Sequence, residues 1–160
     1  MNKFKLLLIA LTLCVGNANS SPILDEETVK AISVEMAEAV KNNDISVFEK
    51  YLYPGSDLTI DTDPANNRGE KKISYDEYMK LTKMGLSMMS NAEIHEELLS
   101  ISIDKVRNEA TIEEKTTSIV EMMGMKMEDV SVNKTTYGIV DGQIKVLVLK
   151  DQSISTGLVK

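Results

Sequence analysis

The stretch TTYGIVDGQIKVLVLKD, residues 135–151, constrains the fold more than any other part of the chain. Two runs of β-branched and other apolar residues flank Asp141-Gly142, a dipeptide that tolerates the positive φ angles of a type I′ turn. The second run is apolar at neighbouring positions, for example Val146 and Leu147, so both faces of that strand should be covered. The sequence therefore predicts a β-hairpin whose second strand lies inside a sheet and not at its edge.

The first 20 residues are expected to be a signal peptide. Lys3 and Lys5 precede an apolar run at 6–13, and Ala18 and Ser20 are small residues of the kind a signal peptidase recognises. The run is too short to remain as a membrane-spanning helix. We expect cleavage after Ser20 and export to the periplasm or to the outside of the cell.

Cys14 is the one cysteine in the sequence, and it lies inside the expected signal peptide. A lipid anchor at Cys14 is the less favoured alternative, because Leu13 stands where a lipoprotein peptidase needs a small residue. Cleavage after Ser20 would leave no cysteine, which excludes a disulfide, a thiolate nucleophile and cysteine-bound zinc from the mature chain.

The mature chain should be strongly acidic. The sequence has 18 Lys and Arg against 25 Asp and Glu, and the signal peptide removes two lysines and no acid, which gives a net charge near −9. Such a chain is repelled by nucleic-acid phosphates and by anionic lipid surfaces. No later apolar run is long enough to cross a bilayer. We therefore expect no nucleic-acid partner and no integral membrane segment in the mature chain.

The N-terminal half of the mature chain predicts three helices. Apolar residues recur at helical spacing over 25–41 behind Asp25, a good N-cap, and Asp44 caps a short second helix. Ser74 and Glu77 form a capping box at the start of the third helix. Gly85 in that helix lowers its stability and predicts a close approach to another element. A strand at 57–62 and a polar loop at 63–69 lie between the second and third helices.

From Ala92 onward the periodicity changes from helical to alternating, which indicates long antiparallel strands. The last residues, 153–160, are expected to form a loose tail. Residues 21–152 then make one domain of class α+β, with three N-terminal helices packed on a strongly curved antiparallel sheet.

This element order resembles the nuclear transport factor 2-like superfamily, whose bacterial members include SnoaL-like proteins. The matching segments are NDISVFEKYLYPGSDLTID, ISYDEYMKL and TTYGIVDGQIKVLVLKD. The resemblance implies a cone-shaped barrel, often with a cavity inside the cone. The superfamily holds isomerases, cyclases and dehydratases as well as binding modules without catalysis, so the resemblance does not select a function.

One candidate site is an acid–base group in that cavity. If Leu99 faces inward, strict alternation brings His95 and Glu97 to the same face, and Glu114 and Thr116 share an inward face on the next strand. A histidine with two carboxylates in an apolar pocket could abstract a proton next to a carbonyl, because burial raises a carboxyl pKa. The simpler interpretation places His95 at the surface and Glu114 in a solvated charged patch.

The predicted pocket lining consists of Tyr78, Met88, Leu99, Thr116 and Tyr137. The methionine segment 122–127 offers thioethers that suit Cu(I). Copper is the less favoured interpretation because His95 is the only histidine, and flexible methionines commonly pack around apolar ligands. The sequence has no phosphate loop, nucleophile elbow or H-E-x-x-H motif, so we expect no cofactor and no metal.

The sequence thus favours an exported binding module without catalysis that holds a small apolar ligand or a protein partner in or around the cone. The alternative is a lyase or isomerase that uses His95, Glu97 and Glu114. The resemblance also implies a homodimer through the open sheet face.

Overall fold

The computed structural model describes residues 22–61, 69–122 and 124–159. The expected signal peptide, almost all of the polar loop at 63–69, and Met123 lie outside these residues. The elements, in chain order, are α1 (Glu26–Lys41), α2 (Ile45–Tyr51), β1 (Asp57–Asp61), β2 (Glu70–Ile73), α3 (Tyr75–Met88), β3 (Met89–Asp104), β4 (Glu109–Met122), β5 (Met125–Val140) and β6 (Gln143–Leu158).

All three helices begin at the caps that the sequence predicts. Asp25 Oδ1 accepts a hydrogen bond from the backbone N–H of Thr28 at 2.8 Å, and Asp44 Oδ1 accepts from Ser46 at 2.9 Å. In α3 the Ser74 hydroxyl accepts from the Glu77 N–H at 3.2 Å. Each bond satisfies an amide that the first helical turn would otherwise leave without a partner.

The strands form one six-stranded sheet in the order β2-β1-β6-β5-β4-β3. The predicted antiparallel sheet is correct for every pairing except β1 with β6, which is parallel. This sheet is mixed because β1 and β6 are joined by a long crossover through α3 and four strands rather than by a hairpin. Over the described residues the sheet is not closed, since β2 and β3 form its edges.

The hairpin predicted at Asp141-Gly142 is confirmed. Asp141 has a φ of 51° and Gly142 a φ of 75°, the two positive values of a type I′ turn. The second strand, β6, lies between β1 and β5, so it is an interior strand as its apolar sequence predicts.

The expectation of a loose tail at 153–160 is wrong as far as Leu158. Strand β6 continues to that residue, which pairs with Met127 of β5. The hydroxyls of Ser153 and Thr156 donate to Asp129 Oδ1 on the neighbouring strand, at 3.3 and 2.5 Å. Small hydroxyl residues therefore continue the ladder where the apolar pattern ends.

A β-bulge in β3 decides which side chains face the helices. Leu98 pairs with Glu114 and Ser100 pairs with Glu113, so Leu99 is the extra residue between two successive pairs. One extra residue reverses the alternation of the strand beyond it. Ile101 and the residues C-terminal to it keep the predicted orientation, whereas residues from Ile94 to Leu98 are reversed. A second register shift lies between Ser90 and Glu93, at the start of β3.

The core lies between the helices and one face of the sheet. Val29 and Ile32 of α1 are buried together with Ile112, Tyr137 and Val146 of three neighbouring strands. Burial of each such apolar side chain contributes about 1.5–3 kcal/mol to folding. This packing places α1 directly over the strands that carry the polar residues described below.

Gly85 does not serve the close approach that its sequence predicts, since no heavy atom lies within 4 Å of the position of an added Cβ. We expect Gly85→Ala to raise the free energy of unfolding by about 0.5–1 kcal/mol, because alanine loses less backbone entropy in a helix. Gly142→Ala is the matched contrast and should lower it by about 1–2 kcal/mol, because its φ is positive. Urea denaturation measures the free energy of unfolding of both variants. Equal effects of the two substitutions would contradict the view that Gly142, and not Gly85, is required by the backbone conformation.

Candidate functional site

A cavity of about 180 Å³ lies between α1 and the covered face of the sheet. One wall is helical and mostly apolar. Phe48 of α2 and Tyr78 of α3 form part of this wall. The rest is formed by four residues of α1 at helical spacing: Ser33, Met36, Ala37 and Val40. The same stripe of α1 that enters the core at Val29 and Ile32 thus continues as the wall of the cavity.

The opposite wall is formed by four strands and is mostly polar. Glu114, Asn133 and Asp151 lie side by side on β4, β5 and β6, because each is the paired neighbour of the next. Thr116 follows in the next row, and Glu96 of β3 is paired with it. The remaining strand residues at the cavity are Ile94, Thr135, Tyr137 and Leu149.

Glu114 is held by a hydrogen bond from the helix above it. The Ser33 hydroxyl, on a residue that is itself buried, donates to Glu114 Oε2 at 2.7 Å. Burial raises the pKa of Glu114, and the Ser33 bond opposes this rise because it stabilises the carboxylate. Glu114 is therefore a fixed and desolvated acid at the centre of the polar wall.

Glu96 is the second acid of this group. Glu96 as a whole residue is exposed. Partial burial of its carboxyl group, followed by the nearby charge of Glu114, raises the pKa of Glu96 to about 7. The charge of Lys41 acts in the opposite direction, but this lysine is bound to Glu38 at 2.7 Å. Glu96 can therefore gain or lose a proton near neutral pH.

Asp151 is the third acid and lies deeper in the sheet. Its Oδ1 atom is buried without a hydrogen-bond partner. Burial, followed by the charges of Asp129 and Asp61, raises the pKa of Asp151 to about 6. A buried carboxylate oxygen without a donor is costly, so this residue destabilises the folded protein when it is ionised.

Two tyrosines complete the cavity. Tyr137 is only 2% exposed, and its hydroxyl donates to the thioether sulfur of Met36 at 3.9 Å. Burial raises the pKa of both Tyr78 and Tyr137, so both hydroxyls stay protonated in the physiological range. Both tyrosines line the cavity and give it aromatic surface.

Of the residues that the sequence analysis proposed for a site, Tyr78, Glu114, Thr116 and Tyr137 line the cavity. The other four predicted site residues lie elsewhere. His95 and Glu97 pair with Thr117 and Lys115 and are exposed on the opposite sheet face; Leu99 is 47% exposed at the bulge, and Met88 is 42% exposed at the end of α3. The predicted convergence of His95 and Glu97 with Glu114 is therefore not formed.

Glu96 and Asp151 are the site residues that the sequence reasoning missed. Strict alternation from Leu99 selected His95 and Glu97, whereas the bulge turns Glu96 inward. The neighbouring apolar residues Leu98 and Leu99 break the alternating pattern and are the available signal for the bulge. Asp151 follows the apolar run of the second hairpin strand, and β6 continues through it to Leu158.

The methionine segment lies at the β4–β5 hairpin, where Met122 pairs with Met125. Its described residues do not line the cavity. Within the described ranges there is no group of three or more His, Cys, Asp or Glu residues that could hold a metal ion. None of the helices in those ranges is long and apolar enough to cross a membrane.

No protein-family model matches the chain, and no curated protein matches it. Solved structures do. A hexachlorocyclohexane dehydrochlorinase, LinA type 2, matches with a TM-score of 0.67 at 11% identity, over 84% of this chain and 88% of the other. A ketosteroid isomerase-like protein from Erwinia carotovora atroseptica matches with a TM-score of 0.63 at 12% identity, over 82% and 99%.

A nuclear transport factor 2-like protein from Cytophaga hutchinsonii matches with a TM-score of 0.61 at 12% identity, over 82% of this chain and 100% of the other. The chain has the α+β cone fold of the nuclear transport factor 2-like superfamily, as its element order predicts. At these identities the likeness shows the fold alone, and the function has to be inferred from the cavity residues.

Replacement of Asp151 tests the cost of its burial. Its folded pKa of about 6 lies above the ordinary aspartate pKa of 3.8, so its ionisation destabilises the folded state as the pH rises from 4 through 6. We expect Asp151→Asn to be more stable than the natural protein by about 1–3 kcal/mol at pH 8. The gain should shrink toward pH 4, where the natural carboxyl is protonated in the folded state.

Urea denaturation between pH 4 and pH 8 measures this difference. Asp141→Asn, in the exposed hairpin turn, removes the same charge and controls for net charge. A stability gain for Asp151→Asn that does not depend on pH would contradict the assignment.

Proposed function

We propose that the chain is a binding module that holds a small, partly apolar molecule in its cavity. The observation that carries this proposal is the division of the cavity into an apolar helical wall and a polar strand wall. Met36, Val40 and Phe48 offer apolar contacts, while Glu114, Asn133 and Asp151 offer hydrogen-bonding groups that fix orientation. Apolar lining with a few convergent polar groups is typical of small-molecule sites.

The cavity volume limits the size of the ligand. At about 180 Å³ the cavity is smaller than the ~300–1,000 Å³ of sites for drug-sized ligands. An apolar cavity of about 150 Å³ is known to hold benzene. We therefore propose a ligand of about one substituted ring, and not a lipid chain.

Occlusion of the cavity tests this proposal. Ala37 is a half-buried residue of the apolar wall, and Ala31 is exposed on the same helix. We expect Ala37→Phe to fill the cavity and to abolish saturable binding of benzyl alcohol, a neutral probe of the right size. Ala31→Phe should bind the probe as the natural protein does.

Chemical-shift changes of the backbone amides of Thr116 and Asn133 measure occupancy. Equal binding by both variants would place the probe outside the cavity. Absence of saturable binding to the natural protein would contradict the proposal.

A proton-transferring lyase or isomerase is the second candidate. The observation that favours it is Glu96, whose pKa of about 7 suits a general base, beside the fixed carboxyl of Glu114. Two of the matching structures are a dehydrochlorinase and an isomerase-like protein by name. This candidate keeps Glu114 from the sequence prediction and replaces His95 and Glu97 by Glu96.

Deuterium exchange tests the second candidate. Acetophenone has acidic α-hydrogens and about the right size, so a cavity base should catalyse their exchange in D₂O. We expect exchange above the buffer rate only if the cavity is catalytic, with loss in Glu96→Gln and no change in Glu97→Gln. Proton NMR measures the exchange, and a rate equal to that of buffer would remove this candidate for simple ketones.

We also propose that the protein is exported and forms a homodimer. The charged and apolar segments of residues 1–20 support export, which N-terminal sequencing of the protein from its host would test. The sheet face away from the helices carries Val130, Val132 and Val148, all half-buried, and supports pairing of two copies. Sedimentation velocity measures the oligomeric state.

A further inference from the structure

We propose that the ligand is a small organic ammonium ion, with its charged nitrogen against Glu96 and Glu114 and its apolar body against Met36 and Phe48. This inference rests on the proposed ligand-binding function and adds the chemical class of the ligand. Three observations support it: the negative charge of the cavity lining, two buried polar groups without adequate partners, and the aromatic residues of the lining.

The lining is negatively charged and contains no cation. Glu96, Glu114 and Asp151 all lie at the cavity, and no lysine, arginine or histidine is among its described lining residues. None of these three acids forms an ion pair in the described part of the chain, and the nearby Lys41 is bound to Glu38 at 2.7 Å. A ligand that is itself a cation would supply the missing charge.

The spacing of the acids suits one ammonium group. Glu96 pairs with Thr116, two residues along β4 from Glu114, so the two acids are diagonal neighbours about 7–8 Å apart at the backbone. Side chains that converge from such positions can accept hydrogen bonds from one nitrogen between them. Asp151 lies two strands beyond Glu114, roughly 10 Å away, and adds to the negative potential.

Two buried polar groups at the cavity lack adequate partners. Asp151 Oδ1 is buried without a hydrogen bond, although the Ser131 side chain donates to the same carboxylate. Tyr137 is 98% buried, and within the described residues its hydroxyl has a thioether sulfur at 3.9 Å as its partner, which is a weak acceptor. Buried polar groups are nearly always satisfied, so both atoms are available to a polar group of a ligand in the cavity.

The aromatic residues favour a cation as well. Tyr78, Tyr137 and Phe48 surround the space beside the acids, and the faces of aromatic rings attract ammonium groups. An anionic ligand would meet three acids of its own sign, and a neutral ligand would leave those charges uncompensated. Charge-assisted hydrogen bonds to carboxylates are also stronger than neutral ones.

Three probes of one shape test the inference: benzylamine, benzyl alcohol and benzoate. We expect calorimetry at pH 8 and low salt to show that benzylamine binds at least about tenfold more tightly than benzyl alcohol, as one charge-assisted contact allows. Benzoate should not bind measurably.

Variants separate the acids from the rest of the cavity. Glu96→Gln and Glu114→Gln should each lower benzylamine affinity by about tenfold and leave benzyl alcohol unaffected. Glu97→Gln removes the same charge one residue away, on the opposite face of β3, and should change neither. Circular dichroism establishes that each variant is folded. Glu96 is exposed, so Glu96→Gln should fold and can test the inference even if Glu114→Gln does not fold.

Each outcome is decisive. Equal affinity for benzylamine and benzyl alcohol would overturn the ammonium assignment and leave the proposed binding function intact. Benzylamine binding that Glu97→Gln weakens as much as Glu96→Gln would show only long-range attraction and would also overturn it. Failure of all three probes to bind would contradict both proposals.

Discussion

The packing of one face of α1 on the sheet is the contact on which the rest of the structure depends. The N-terminal half of this stripe, Val29 and Ile32, enters the core, where apolar burial supplies the stabilisation. The C-terminal half, with Ser33 and Met36, covers the polar strand wall without filling the space above it. A single helical face therefore packs on the core and also forms one wall of the cavity, and it partly buries Glu114 and Asp151.

The strand wall under this helix concentrates acids that do not contribute to folding. Burial raises the pKa of Glu96, Glu114 and Asp151, which means that the folded state disfavours their charged forms. The Ser33 hydroxyl of the helix donates a hydrogen bond to Glu114. Perturbed acids in a cavity mark a functional site more often than a structural one. The same groups can bind a cation or move a proton, and the likeness in fold does not distinguish binding from catalysis.

The bulge at Leu99 shows how one backbone irregularity selects the chemistry of this site. Without it, strict alternation would place His95 and Glu97 over the cavity, and the site would contain an imidazole. With it, Glu96 faces Glu114 and the only histidine is on the outer face. The described lining of the cavity then has carboxylates and tyrosines without a lysine, arginine or histidine. This composition is the basis of the ammonium ligand that we propose.

Local sequence patterns were enough to predict the helix starts and the hairpin turn. Caps at Asp25, Asp44 and Ser74 and the turn at Asp141-Gly142 depend on hydrogen bonds and φ angles within a few residues, so the pattern of residue types predicts them. Only the tertiary structure decided the parallel pairing of β1 with β6, the continuation of β6 to Leu158, and the bulge, because these depend on register between strands that are distant in sequence. Register determines which face each side chain occupies, and so the cavity acids could not be predicted from alternation alone.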